Sequence, residues 1–147
     1  MSPHAQGGVS VGRERPPAWR VATNLGKSFQ YAGAGLLYAT ATQRNFRIHL
    51  GIGAVALGLA WFLHLSFVET ALIGLTCGLV MAMELLNTAL EAVVDLAAGK
   101  EFHVLAQIAK DCAAAAVLVS ALTALGVAGC LLLPPLWEMV HGWVKLA

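Results

Sequence analysis

The feature that most constrains this chain is a run of 25 residues, Cys112 to Leu136, without Asp, Glu, Lys or Arg. A second uncharged run covers the 21 residues from Ile48 to Val68. A helix needs about 20 mostly apolar residues to cross a bilayer. The chain has 147 residues, 59% of them hydrophobic and 12% charged, whereas soluble domains have about 25% charged residues. These features predict a single-domain integral membrane protein.

A third apolar stretch runs from Ala71 to Met83 and is too short to cross by itself. Helical periodicity continues beyond it as far as Asp95, so the span that contains it has to carry carboxyl groups inside the membrane or at its boundary. The three spans are predicted at about residues 47–67, 69–96 and 110–134, and Pro134 and Pro135 are expected to end the last helix.

The segment from Trp19 to Thr42 has an apolar stripe at helical spacing, formed by Leu25, Phe29, Ala32 and Leu36. Its polar residues lie on other faces, which favours a surface helix over residues 19–45 in the membrane interface. A soluble packing helix is the alternative. Residues 1–18 are rich in Gly, Pro, Ser and Arg, and we expect them to be a disordered extension rather than a signal peptide. The predicted fold is therefore all-α, with three transmembrane helices after an amphipathic surface helix in a domain of residues 19–147.

Basic residues are distributed unevenly around the spans. Six precede the first span, two lie between the second and third, and one follows the third. Cytoplasmic segments carry the excess of Lys and Arg. We therefore expect a multi-pass protein of the cell membrane, with its N-terminus and a loop at residues 97–111 in the cytoplasm.

Four polar residues share one side of the second span: Glu84, Asn87, Glu91 and Asp95, spaced i, i+3, i+7 and i+11. Carboxyl groups inside a span cost a few kcal/mol each, so they usually face a protein interior and serve a function. A structural polar seam between helices is the alternative. Glu84 is the deepest, about 16 Å of helix rise from Asp95, and suits a general base. Glu91 and Asp95 lie nearer water, where they suit a hard cation such as Mg²⁺.

Several classes of function are excluded. The chain has no P-loop and no protein-kinase glycine loop. Its net charge of +1 gives no broad basic surface for nucleic acid. The three cysteines have neither metal-site nor disulfide spacing. Any nucleotide chemistry here must use another scaffold.

The segments ELLNTALEAVVDL (84–96) and EFHVLAQIAKDCAAAAVLV (101–119) resemble the signature of prokaryotic diacylglycerol kinases and undecaprenol kinases. RNFRIHL (44–50), Lys27 and Tyr31 extend this resemblance. It implies a homotrimer with active sites shared between subunits at the cytoplasmic interface. The implied reaction transfers the γ-phosphoryl group of ATP, with Mg²⁺, to the hydroxyl of a membrane lipid.

The resemblance also implies roles for individual residues. Glu84 would take the proton from the lipid hydroxyl, and Asn87 would orient Glu84 or the substrate. Glu91 would bind Mg²⁺, and Arg47 would lie near the lipid headgroup. The implied nucleotide contacts are Tyr31, Glu101, His103, Lys110 and Asp111, with Lys110 towards the phosphates. Lys110 at a membrane boundary is equally typical of a lysine that only reaches for the headgroups.

One position departs from the family pattern. Where the family commonly has a glutamate that helps Glu91 hold the metal, this chain has Gln43. A glutamine carbonyl can bind Mg²⁺ but adds no charge. Diacylglycerol and undecaprenol are both open as substrates. The other functions considered are an ion- or proton-conducting protein and a non-catalytic assembly subunit that packs through Gly74 and Gly78.

Overall fold

The structure is a computed structural model that describes residues 25–99 and 103–146, with side chains up to residue 142. In these ranges the chain forms four helices: α1 (Leu25–Thr42), α2 (Arg44–Phe62), α3 (Phe67–Ala98) and α4 (Val104–Leu146). By length and composition, α2, α3 and residues 104–142 of α4 are able to cross a membrane. The prediction of an all-α chain with three such helices is confirmed. The predicted disordered extension, residues 1–18, and the predicted helix start at Trp19 lie outside the described residues.

The break between α1 and α2 is a single residue, Gln43, in an extended conformation. The first helix therefore ends three residues earlier than the predicted boundary at residue 45, and Arg44 and Asn45 begin α2 instead. Arg47 Nη1 donates to the carbonyl oxygens of Thr40 and Ala41, at 3.1 and 3.0 Å. A cation on the last carbonyl groups of a helix stabilises its C-terminus.

Ser66 begins α3 with a capping box. Its hydroxyl accepts a hydrogen bond from the Glu69 backbone N–H at 3.3 Å, and Glu69 Oε2 accepts one from the Ser66 N–H at 2.8 Å. This reciprocal pair satisfies N–H groups that have no partner within the helix. It fixes the turn from which α3 runs for 32 residues without a break.

The third helix packs against both α2 and α4. The buried centre consists of Ala56 and Ala60 of α2, Ile73 of α3 and Leu132 of α4. Small residues bring α2 close to α3, since a Cβ atom built on Gly53 would lie 3.4 Å from Cys77 Sγ. Gly78, half of the predicted glycine packing pair, has no described atom near its missing side chain.

The connection between α3 and α4 is shorter than the predicted loop at residues 97–111. Helix α3 continues to Ala98 and α4 begins at Val104. Gly99 ends α3 at φ 62°, ψ −128°, a conformation essentially restricted to glycine. Lys110 and Asp111 consequently lie in the second turn of α4 rather than in a loop.

Helix α4 also continues past Pro134 and Pro135 to Leu146, so the prediction that this pair ends the helix was wrong. A proline removes one backbone hydrogen bond and bends a helix, but it does not have to terminate it. In membrane helices neighbouring groups commonly compensate for the lost bond. Helix α4 is therefore unbroken from Val104 to Leu146.

Candidate active site

The four polar residues predicted on one side of the second span all lie on the unbroken helix α3. Glu84 is only 4% exposed and is the one acidic residue among the buried side chains of the described ranges. Its Oε1 has no hydrogen-bond partner among the described residues. A buried polar atom without a partner is rare in native proteins and commonly marks a functional group.

Asn87 and Glu91 form a pair one turn further along α3. Asn87 Nδ2 donates to Glu91 Oε1 at 3.0 Å. This contact leaves Glu91 Oε2 available and directs the amide oxygen of Asn87 away from Glu91. That amide oxygen is the second buried atom without a hydrogen-bond partner in the described residues. The two unpaired acceptors are thus Glu84 Oε1 and Asn87 Oδ1. Their residues are three positions apart and lie on the same side of α3 as Glu91.

Sequence reasoning missed His49, which lies on α2 and contacts the buried glutamate. Its Nε2 is 3.4 Å from Glu84 Oε1. His49 falls within the RNFRIHL segment, but nothing in that segment indicates which residue of α3 faces it. The contact depends on how α2 and α3 pack, and only a general expectation that a buried carboxyl group has a partner would have suggested it.

At the other end of the acidic face, α3 and α4 are joined by an ion pair. Lys110 Nζ lies 2.5 Å from Asp95 Oδ1. The two side chains are 39% and 67% exposed, so the pair contributes little to stability. Its main effect is to hold the ammonium group of Lys110 near the carboxyl end of α3.

The same ion pair borders an open cleft of about 250 Å³ between α3 and α4. Three predicted nucleotide-contacting residues line it together with Asp95: His103, Lys110 and Asp111. His103 Nδ1 accepts a hydrogen bond from the Leu105 N–H at 3.3 Å, which orients the imidazole at the start of α4. The cleft thus brings an ammonium group and an imidazole beside two carboxylates, an arrangement suited to a metal-bound polyphosphate.

A complete protein site for a metal ion is not formed within the described residues, which contain no cluster of three His, Cys, Asp or Glu side chains. Glu91 nevertheless fits Mg²⁺, because this ion usually binds one or two carboxylates and completes its shell with water and substrate phosphates. Gln43 is half-buried at the start of α2, where its Nε2 donates to Thr42 Oγ1 at 3.3 Å. Its side-chain oxygen remains a possible neutral ligand.

The other predicted site residues are Arg47, Tyr31 and Glu101. Arg47 is bound to the end of α1, as described above. Tyr31 lies on α1 and is 39% exposed. Glu101 lies outside the described residues. The roles of these three residues stay predictions.

Residues 30–132 match the family model described as prokaryotic diacylglycerol kinase. A diacylglycerol kinase from Synechocystis sp. is 57% identical over 126 residues, which cover 86% of this chain and 72% of that protein. An undecaprenol kinase from Bacillus subtilis is 43% identical over 95 residues, 65% of this chain and 76% of that protein. A diacylglycerol kinase from Escherichia coli is 35% identical over 111 residues, 76% of this chain and 89% of its own length.

Proposed function

The chain belongs to the prokaryotic diacylglycerol kinase family and is a lipid kinase, and we propose that it phosphorylates diacylglycerol to phosphatidic acid at the cytoplasmic face of the cell membrane. The substrate follows the name of the 57% identical relative. Undecaprenol is the second candidate, because a relative named undecaprenol kinase is 43% identical.

The observation that carries this proposal is the carboxyl group of Glu84, which is buried on a helix able to span a membrane. Such a group in a membrane helix suits an interaction with a polar hydrogen from a bound molecule. A lipid alcohol supplies one at a fixed depth in the bilayer. Glu84 is therefore the proposed general base for that hydroxyl.

In the proposed step the lipid oxygen attacks the γ-phosphorus of ATP while the Glu84 carboxylate accepts the hydroxyl proton. A new P–O bond to the lipid forms, and the bond between the γ-phosphorus and the β,γ-bridging oxygen breaks, so that ADP leaves with that electron pair. Phosphoryl transfer depends mainly on positioning and on neutralising phosphate charge. Asn87, one turn from Glu84, would orient Glu84 or the acceptor lipid.

ATP would occupy the cleft between α3 and α4, with Lys110 contacting its phosphates and Glu101, His103, Asp111 and Tyr31 contributing further contacts. Glu91 would bind Mg²⁺, with Gln43 as a neutral second ligand. The bound ion supplies neutralisation of the phosphate charge. Glu84 and Asp95 are separated by about 16 Å of helix rise, so the triphosphate would point along α3 from the cleft towards the base.

The proposed orientation has the N-terminus and the connection at residues 99–103 in the cytoplasm, since the basic residues concentrate there. The proposed assembly is a homotrimer, in which Arg47 would lie near the lipid headgroup. The support for the trimer is the family resemblance.

The test is a phosphorylation assay on the purified protein in detergent micelles with Mg²⁺ and ATP labelled in the γ-phosphate. Dioctanoylglycerol and undecaprenol are offered in parallel, with a triacylglycerol as the control lipid without a hydroxyl. We expect label in dioctanoylglycerol above all. Label mainly in undecaprenol would replace the substrate and retain the reaction. Label in neither lipid, with ion flux through liposomes, would contradict the proposed function.

A further inference from the structure

His49 is the described side chain that approaches the unpaired oxygen of the proposed base. Its Nε2 lies 3.4 Å from Glu84 Oε1, and the two side chains are 24% and 5% exposed. The backbone carbonyl oxygen of Glu84 also accepts a hydrogen bond, from Thr88 Oγ1 at 2.9 Å. The carboxyl group is thus approached from α2 by one nitrogen-bearing side chain.

The contact at 3.4 Å is not a hydrogen bond, and Oε1 has no hydrogen-bond partner among the described residues. Contacts between catalytic groups are often long before substrate binds and shorten in the reacting complex. A small rotation of the imidazole would bring Nε2 into range. The hydrogen bond would then satisfy a buried acceptor at little conformational cost.

On its other side His49 faces a largely apolar cavity. It lines a cavity of about 230 Å³ between α2, α3 and α4, whose other walls include Ile52, Gly53, Val80 and Leu125. Apart from Cys77 Sγ, the lining side chains are hydrocarbon. An imidazole between such a cavity and a buried carboxyl group gains most by directing its N–H to the carboxyl group.

We propose that His49 is a positioning residue for the base. Its Nε2–H donates to Glu84 Oε1 and fixes the carboxyl rotamer, so that Oε2 faces the lipid hydroxyl. His49 keeps its proton throughout, and Glu84 alone accepts the proton of the substrate. This inference rests on the proposed function, because it assigns His49 to the same reaction.

The variants that test this role differ in where they place an N–H donor. His49→Gln keeps a donor at a distance from the backbone similar to that of Nε2, whereas the shorter His49→Asn does not. His49→Leu removes the donor. His141→Leu is the matched control, because His141 lies against Trp137 of the same helix, with ring centroids 4.2 Å apart, outside the proposed site.

The readouts are kcat and KM for ATP in the micelle assay, with thermal unfolding of each variant. We expect His49→Leu and His49→Asn to lower kcat by up to about 100-fold, since small misplacements of a reacting group cost this much. KM for ATP is expected to stay unchanged. His49→Gln and His141→Leu are expected to retain most of the activity. On a Glu84→Gln background, His49→Leu should cause no further loss, because the group it positions is already absent.

Any of the following results would overturn the proposal. Unchanged kcat in His49→Leu would show that the base needs no partner on α2. Equal losses in the Gln and Asn variants, or a further loss on the Glu84→Gln background, would assign His49 a general structural role. An inactive wild-type protein would overturn the proposed function itself, whereas the outcomes above require an active one.

Discussion

Lys110 Nζ of α4 lies 2.5 Å from Asp95 Oδ1 of α3. The pair joins the two helices beside the cleft that we assign to ATP. Because both side chains are substantially exposed, its removal should cost only about 0–1 kcal/mol of stability. Its importance is therefore expected in catalysis, where it directs a positive charge towards the bound phosphates.

Lys110→Met is expected to raise KM for ATP by about tenfold, which corresponds to the loss of one charge-assisted contact of roughly 1.4 kcal/mol. Asp95→Asn should have a smaller effect, since it frees the ammonium group without removing it. Steady-state kinetics with varied ATP measure both changes. Thermal unfolding is expected to differ little from that of the wild type.

The charge-swapped double variant Asp95→Lys/Lys110→Asp distinguishes phosphate binding by Lys110 from a purely structural role of the ion pair. It retains an ion pair between the helices but moves the positive charge to α3. If Lys110 binds phosphate, KM for ATP stays high in the double variant. Recovery of the wild-type KM would contradict that role and leave a purely structural ion pair.

The hydrogen bond from Asn87 to Glu91 predicts a difference in metal dependence. Glu91→Ala removes a carboxylate that we assign to Mg²⁺, whereas Asn87→Ala leaves this carboxylate in place and only releases its orientation. The Mg²⁺ concentration for half-maximal activity should therefore rise more in Glu91→Ala. Titrations of both variants at saturating ATP measure it. Equal shifts would remove Glu91 from the metal site.

The neutral side chain of Gln43 leads to a prediction about the Mg²⁺ requirement. Gln43→Glu adds a charged ligand where the family commonly has one, and it places a negative charge at the N-terminus of α2, which favours the helix. Half-maximal activity should then need less Mg²⁺, with no loss of thermal stability. An unchanged Mg²⁺ titration with intact activity would show that residue 43 does not contact the metal.

The helices were predictable because bilayer length and helical periodicity act over many residues. The errors occurred at helix ends, whose positions depend on only a few residues. Pro134 and Pro135 look like a helix end, yet α4 continues through them to Leu146. Polar residues within 100–103 suggest a loop that reaches Lys110, yet Gly99 ends α3 and α4 already starts at Val104. The local sequence does not show whether the helix ends or continues at such residues.

The acidic residues of the site were also predictable, because they share one helix and their spacing sets their direction. Contacts between helices could not be predicted in this way. The approach of His49 to Glu84 and the binding of Arg47 to the end of α1 depend on how separate elements pack. A single sequence carries no direct record of such packing.

The central claim is that Glu84 is the base for the lipid hydroxyl, and Glu84→Gln tests it with almost no change in size. Glu138→Gln is the matched control, since Glu138 is an exposed glutamate of α4 outside the proposed site. The measurement is kcat for transfer of labelled phosphate to lipid, on protein that unfolds at the wild-type temperature. We predict a loss of about 10²- to 10⁴-fold in Glu84→Gln and none in Glu138→Gln. Wild-type turnover in Glu84→Gln would contradict the claim.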